Sequence, residues 1–150
     1  MLIYTGGTFD LFHASHVGFL KRCWELSGAS SYQGLSSVVV SLNTDEFVEE
    51  YKGKPPINNY REREAVLLGC RYVSRVVPNV GGADSKVSIE SVKPDVLAVG
   101  SDWHHPNHYL SQMHLTWEWL RDHRIGVLYL PRGVETSTTE IKGRIFGDTE

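Results

Sequence analysis

Four short, largely apolar runs most constrain what this chain can become: Leu2 to Thr5, Val38 to Leu42, Val96 to Val99 and Ile125 to Leu130. A strand without a polar side must be covered on both faces, which is the situation of a strand in a parallel sheet flanked by helices. A fifth, β-rich run spans Tyr72 to Val77. Between these runs the apolar period changes to that of helices. Val17, Leu20 and Trp24 share one face from His16 onward, and Gly28 offers a stop. Asn43 or Thr44 could cap a short helix through Phe47 and Val48, which Pro55 and Pro56 cannot continue. Further helices are expected from Tyr60 through Cys70, from Ala83 to Val92, as a single span from Tyr109 to His123, and from Ser137 to Ile145. Trp117 and Trp119 cannot share a face of the long one, so at most one anchors the core. The order β-α-β-α-α-β-α-β-α-β-α predicts an α/β doubly wound three-layer sandwich with a parallel five-stranded sheet, a single domain over 1–150.

Composition narrows the class. The chain has 150 residues, 41% hydrophobic and 22% charged, enough for a core that needs no staple. A net charge of -3 gives no basic excess for a nucleic-acid partner. Cys23 and Cys70 lie far apart and read as free thiols in a reducing compartment. No stretch reads as a signal peptide or a membrane span, so a cytoplasmic protein is expected. The stretch GASSYQGLSS is a surface loop by composition and is assigned no role.

In a doubly wound sheet, chemistry collects at the carboxyl ends of the strands. Four polar stretches land there: GGTFDLFHASH, YKGKPPINNYRER, GSDWHHPNH and RGVETSTTEIKGR. In the first, Gly6 and Gly7 allow close backbone approach to a ligand. A helix beginning near Ser15 or His16 leaves its first amides free, which is an anion site. His13 and His16, three apart, can project into one pocket and donate to phosphate oxygens. Their spacing could also serve zinc, as could His104, His105 and His108, but no further ligand of suitable type accompanies either group. Neither a P-loop nor a GxGxxG fingerprint is present. Lys52 and Lys54 flank Gly53 in a proline-bearing loop, Arg61 and Arg63 open a helix, and Ser137 with Glu140 forms a capping box.

GGTFDLFHASH resembles the signature of the nucleotidyltransferase superfamily that includes the cytidylyltransferases. Agreement with the glycerol-3-phosphate cytidylyltransferase family extends along nearly the whole chain, through NTDEFVEEYKGK, YRERE, RYVSRVVP, VGSDW and LPRGVETSTTEIKGRI. The resemblance implies a Rossmann-like nucleotidyltransferase fold. It also implies direct attack of a phosphomonoester on the α-phosphorus of CTP, with release of pyrophosphate. Such a reaction needs positioning and charge stabilisation rather than an enzyme nucleophile.

On the same resemblance, His13, His16, Lys54 and Arg132 are the catalytic residues, Lys54 being preferred to Lys52 because Pro55 stiffens it. Gly7, Thr8, Phe9, Asp10, Ser137, Thr138 and Thr139 bind the nucleotide. Lys52, Arg63, Asp102 and Trp103 bind the acceptor, with Arg63 reaching its phosphate, while Arg61 is surface. Asp10 orients the turn or helps to hold Mg²⁺ through water. A homodimer is implied, with the aromatic segment from Trp103 to Tyr109 as a contact surface.

The chain departs from the pattern at Ser15, where glycine is usual, and at Thr136, where a more apolar residue is usual. Serine adds a Cβ and a hydroxyl and can act as an N-cap. Two other readings stay open at this point. One is another phosphomonoester in the same superfamily, such as ethanolamine phosphate with CTP or a sugar phosphate with ATP. The other is a nucleotide-binding module without turnover.

Overall fold

The structure, a computed structural model, describes residues 1–28, 37–100, 106–131, 133 and 136–147, apart from the side chains of 106 and 107. Five parallel strands form one sheet: β1 (Ile3–Gly7), β2 (Val38–Asn43), β3 (Arg75–Asn79), β4 (Val96–Gly100) and β5 (Gly126–Leu130). Seven helices lie among them: α1 (Ala14–Leu26), α2 (Asp45–Lys52), α3 (Tyr60–Gly69), α4 (Lys86–Val92), α5 (Pro106–Gln112), α6 (Trp117–Asp122) and α7 (Thr138–Phe146). The sheet order is β3-β2-β1-β4-β5, so the chain winds outward in both directions from β1. This is the doubly wound arrangement, and it opens a crevice beside the carboxyl end of β1.

Alternate strand residues serve opposite faces, as strand geometry requires. Tyr4, Val39, Leu97 and Val99 join Ile89, Leu110 and Leu120 in one core cluster. Ile3, Val38, Val40, Leu42 and Ala98 join Leu20, Cys23 and Leu67 in the other. Ile3 pairs in register with Val38 on one side and Val96 on the other. That double burial is why the β1, β2 and β4 runs are largely apolar, with Thr5 and Ser41 buried among them.

The boundaries differ from expectation where turn chemistry overrides pattern. β1 continues through Gly6 and Gly7 rather than ending before them. β3 starts at Arg75 rather than Tyr72, because the Val73 amide bonds back to the Cys70 carbonyl in a turn. This strand lies at the edge of the sheet, where Pro78 is tolerated. The expected single helix from Tyr109 to His123 is two, α5 and α6. His114 takes φ 55, and the Thr116 hydroxyl caps α6 by accepting from the Trp119 amide at 3.2 Å. Trp119 packs against the core while Trp117 is half exposed. Most of the GASSYQGLSS loop lies outside the described residues.

Candidate active site

The turn after β1 is strained. Phe9 and Leu11 hold φ of 50° and 46°, a region that costs bulky residues energy and persists only when the surroundings over-determine it. Phe9 is driven there by packing: it is buried against the α1 and α3 core. Its ring would meet a Cβ on Gly7 at 2.9 Å, so only glycine fits position 7.

Helix α1 starts at Ala14, with His13 rather than Ser15 as its N-cap. No acidic side chain occupies its first turn, which keeps the amide end positive. The imidazoles of His13 and His16 stack with centroids 3.7 Å apart, and Phe9 and Phe12 flank the His16 ring at 5.0 and 5.5 Å. The His13 amide donates to His16 Nδ1 at 3.4 Å. That contact puts the proton of neutral His16 on Nε2, making Nε2 a hydrogen-bond donor.

Asp10 is buried, and both its carboxylate oxygens are occupied. Oδ2 accepts from the Ile57 amide at 2.8 Å, and Oδ1 accepts from the Asn58 amide at 2.9 Å and the Leu11 amide at 3.1 Å. It therefore orients the turn by gripping the loop that follows Pro56. Among the described residues, no group of three or more His, Cys, Asp or Glu could hold a metal ion. With its oxygens so engaged, Asp10 does not fit as a direct ligand of a divalent cation.

Arg63 is placed differently from expectation. It is 1% exposed and does not face an acceptor. Its guanidinium donates from Nε to the Asn58 carbonyl at 2.9 Å and from Nη1 to the Thr8 carbonyl at 2.7 Å. Nη2 donates to the Asn43 carbonyl at 2.9 Å and to Asp45 Oδ1 at 2.6 Å. The expected role on the acceptor phosphate is corrected on this geometry, because nearly every donor of the fork is already spent. Arg63 ties the β1 turn, the end of β2, the start of α2 and the Pro55–Asn59 loop into one body. Asn43 and Asn79, which the sequence reading passed over, extend this network. Asn43 Nδ2 donates to Thr8 Oγ1 at 3.1 Å, and Asn79 Nδ2 donates to Asn43 Oδ1 at 2.9 Å. Their position at adjacent strand ends, in register, was the available signal.

Lys52 ends α2 and Lys54 follows it, both exposed, with Gly53 at φ 74 turning the chain between them. Tyr51 Oη lies 3.0 Å from Thr8 Oγ1, which brings this loop beside the β1 turn. Arg61 is exposed.

The last motif meets the first. Ser137 caps α7 by accepting from the Glu140 amide at 3.1 Å, and Thr138 Oγ1 donates to the Asp10 carbonyl at 2.8 Å. Thr139 is exposed. Arg22, which sequence reasoning missed, donates from Nη1 to the Pro131 carbonyl at 2.9 Å and so tethers the approach to α7. Arg132, Asp102 and Trp103 lie outside the described residues, as do His104 and His105. Tyr109 is buried beside Tyr129, so it does not contribute to an exposed aromatic surface.

At the opposite, amino-terminal edge of the sheet, a cavity of about 400 Å³ is lined by Lys93, Asp95, Trp119, His123 and Arg124 among others. None of the residues named above for phosphate chemistry borders it.

Residues 4–144 match the cytidylyltransferase-like family. A glycerol-3-phosphate cytidylyltransferase of Staphylococcus aureus is 31% identical over 145 residues, covering 97% of this chain and 95% of that relative. An FAD synthase of Pyrococcus horikoshii is 41% identical over 100 residues, covering 67% of this chain and 62% of that relative. The crystal structure of a lipopolysaccharide core biosynthesis protein from Thermoplasma volcanium aligns with a TM-score of 0.62 at 21% identity, over 91% of this chain and 98% of that one. At that identity it speaks for the fold alone.

Proposed function

The chain belongs to the cytidylyltransferase-like family, and from that premise we propose that it transfers a cytidylyl group from CTP to glycerol 3-phosphate, giving CDP-glycerol and pyrophosphate. The observation that carries this reading is the meeting of two helix starts at one strand end. Asp10, in the turn before α1, accepts through its carbonyl from Thr138 in the first turn of α7. Two helix N-termini beside one strand end suit a polyphosphate. Glycerol 3-phosphate is favoured because the relative of that name matches almost end to end.

A phosphate oxygen of the acceptor attacks the α-phosphorus, and the bond from the α-phosphorus to the bridging oxygen breaks. Pyrophosphate leaves with that electron pair. His16 Nε2 and the His13 ring donate to phosphate oxygens as charge builds. Lys54 and Lys52 neutralise the phosphates from their loop, each as a compact charge on a flexible stem. The α7 amides and the Ser137 hydroxyl hold the triphosphate end. Asp10, whose carboxylate oxygens are already engaged, would reach a triphosphate-borne Mg²⁺ only through water, and such an ion would offset the charge of the leaving pyrophosphate. Among the described residues no helix is long and apolar enough to cross a membrane. A homodimer is part of the proposal. Ile145 and Phe146, 65% and 70% exposed on α7, supply apolar surface for it.

A second reading, transfer of a nucleotidyl group to another phosphomonoester, is favoured by the FAD synthase match. Pyrophosphate release measured with nucleotide and acceptor varied independently separates the two. Release that needs both CTP and glycerol 3-phosphate is expected. Release with a different pair only would reject the substrate and keep the reaction class.

A further inference from the structure

Ser15 and Thr136 are the two positions where the sequence departs from the pattern it otherwise follows, and the structure makes them partners. The Ser15 hydroxyl donates to the Thr136 carbonyl at 2.7 Å and accepts from the Thr136 amide at 3.1 Å, across 121 residues of sequence. A single side chain thus engages both main-chain groups of one residue. Thr136 directly precedes Ser137, the N-cap of α7, and Ser15 lies in the first turn of α1. Two other bonds join the same pieces of chain. Thr138 Oγ1 holds the Asp10 carbonyl, and Arg22 holds the Pro131 carbonyl. Of these bonds, only the Ser15 pair grips main chain beside the α7 cap with both a donor and an acceptor. A two-point contact fixes direction as well as distance, where a single bond still permits rotation.

We propose that Ser15 is a positioning residue that sets the start of α7 against the start of α1, so that both helix N-termini address one triphosphate. Its functional consequence rests on the reading of this site as a nucleotide site; its geometric consequence does not. Glycine at position 15 has no hydroxyl to make the pair and adds backbone freedom to the first helical turn. Reverting Ser15 to glycine therefore loosens the site rather than repairing it.

The test uses Ser15→Ala, Ser15→Gly and Ser15→Thr in the full chain. Amide hydrogen exchange at Thr136 is followed by NMR, alongside kcat and separate KM values for nucleotide and acceptor. For Ser15→Ala and Ser15→Gly, Thr136 exchange is expected to speed up about tenfold and nucleotide KM to rise about fivefold to tenfold, the scale of one or two hydrogen bonds. The kcat and the acceptor KM should change less than about twofold, and Ser15→Thr should restore both readouts. Nucleotide KM at or below the wild-type value in Ser15→Gly would overturn the proposal, even with faster exchange. If the wild type releases no pyrophosphate with any pair, the proposed reaction fails but Ser15 is still decided. Protection of the Thr136 amide lost in Ala and Gly and kept in Thr supports its role; equal exchange in all four proteins refutes it.

Discussion

The two sides of the site are built from different materials. On the α3 side, a buried guanidinium gathers the Thr8, Asn43 and Asn58 carbonyls and the Asp45 carboxylate. On the α7 side, neutral hydroxyls hold main-chain groups: Ser15 to Thr136 and Thr138 to Asp10. The first arrangement is expensive to break, because removing one partner leaves buried polar groups and a charge uncompensated. The second costs about 1 kcal/mol per bond, the usual net value of a hydrogen bond in water. The α3 side is therefore a fixed floor, and the α7 side is adjustable by single substitutions. Asp10 belongs to both: its carboxylate grips the loop on the α3 side, and its carbonyl receives Thr138 from α7.

The comparison is most easily broken at Arg63. Arg63→Met should destabilise the protein by about 3–5 kcal/mol in urea unfolding, and Arg63→Lys should recover only part, since a point charge cannot span a fork of four acceptors. A loss no larger than that of Ser15→Ala would erase the distinction between the two sides. Next in size is His16→Ala, expected to lower kcat by about 100-fold, as for other donors to a developing oxyanion. Its melting temperature should move little by comparison. Smaller again is Ser137→Ala, which removes the α7 cap at a cost of about 1 kcal/mol. A sharper version compares it with Thr44→Ala, which removes the α2 cap, an acceptor for the Phe47 amide at 3.2 Å. Only Ser137→Ala should also raise nucleotide KM.

A further effect is common to both sides and acts as a control. Burial pushes the Cys23 thiol from 9.0 to about 12, and burial also raises the Tyr4 and Tyr109 phenols. In each case the fold favours the neutral form. This stability is fully present below about pH 9 and declines as pH rises toward the folded values, because the unfolded state loses its protons first. Urea midpoints measured from pH 8 to pH 11 should fall steadily, in Ser15→Ala as in the wild type.

The sheet was legible because double burial writes itself as short, largely apolar runs, whereas the register that sets Ile3 beside Val38 and Val96 has no local signal. The split between α5 and α6 was not, because the helical stripe of Leu110, Met113, Trp117 and Leu120 runs straight across it. Only Thr116, as a cap, marked the break. In the site, the first and last motifs were placed correctly at the strand ends by topology alone. Arg63 was misread because a basic residue at a helix start is compatible with either a ligand or a buried hub. Burial decides between these, and burial depends on Thr8 and Asn43, far away in sequence. Ser15 was read as a departure from glycine that can act as an N-cap, whereas His13 holds that place. The partner of Ser15 at Thr136 is visible only once α7 is set beside α1.

The central claim is the transfer itself, and phosphorus NMR tests it most directly. Equimolar CTP and glycerol 3-phosphate are mixed with MgCl₂ and the purified protein, and all phosphorus-containing species are followed together. The account predicts that the triphosphate and monoester signals decline in step, while a diphosphate diester and free pyrophosphate appear in equal amounts. Unchanged spectra, or loss of CTP without consumption of the monoester, would contradict it.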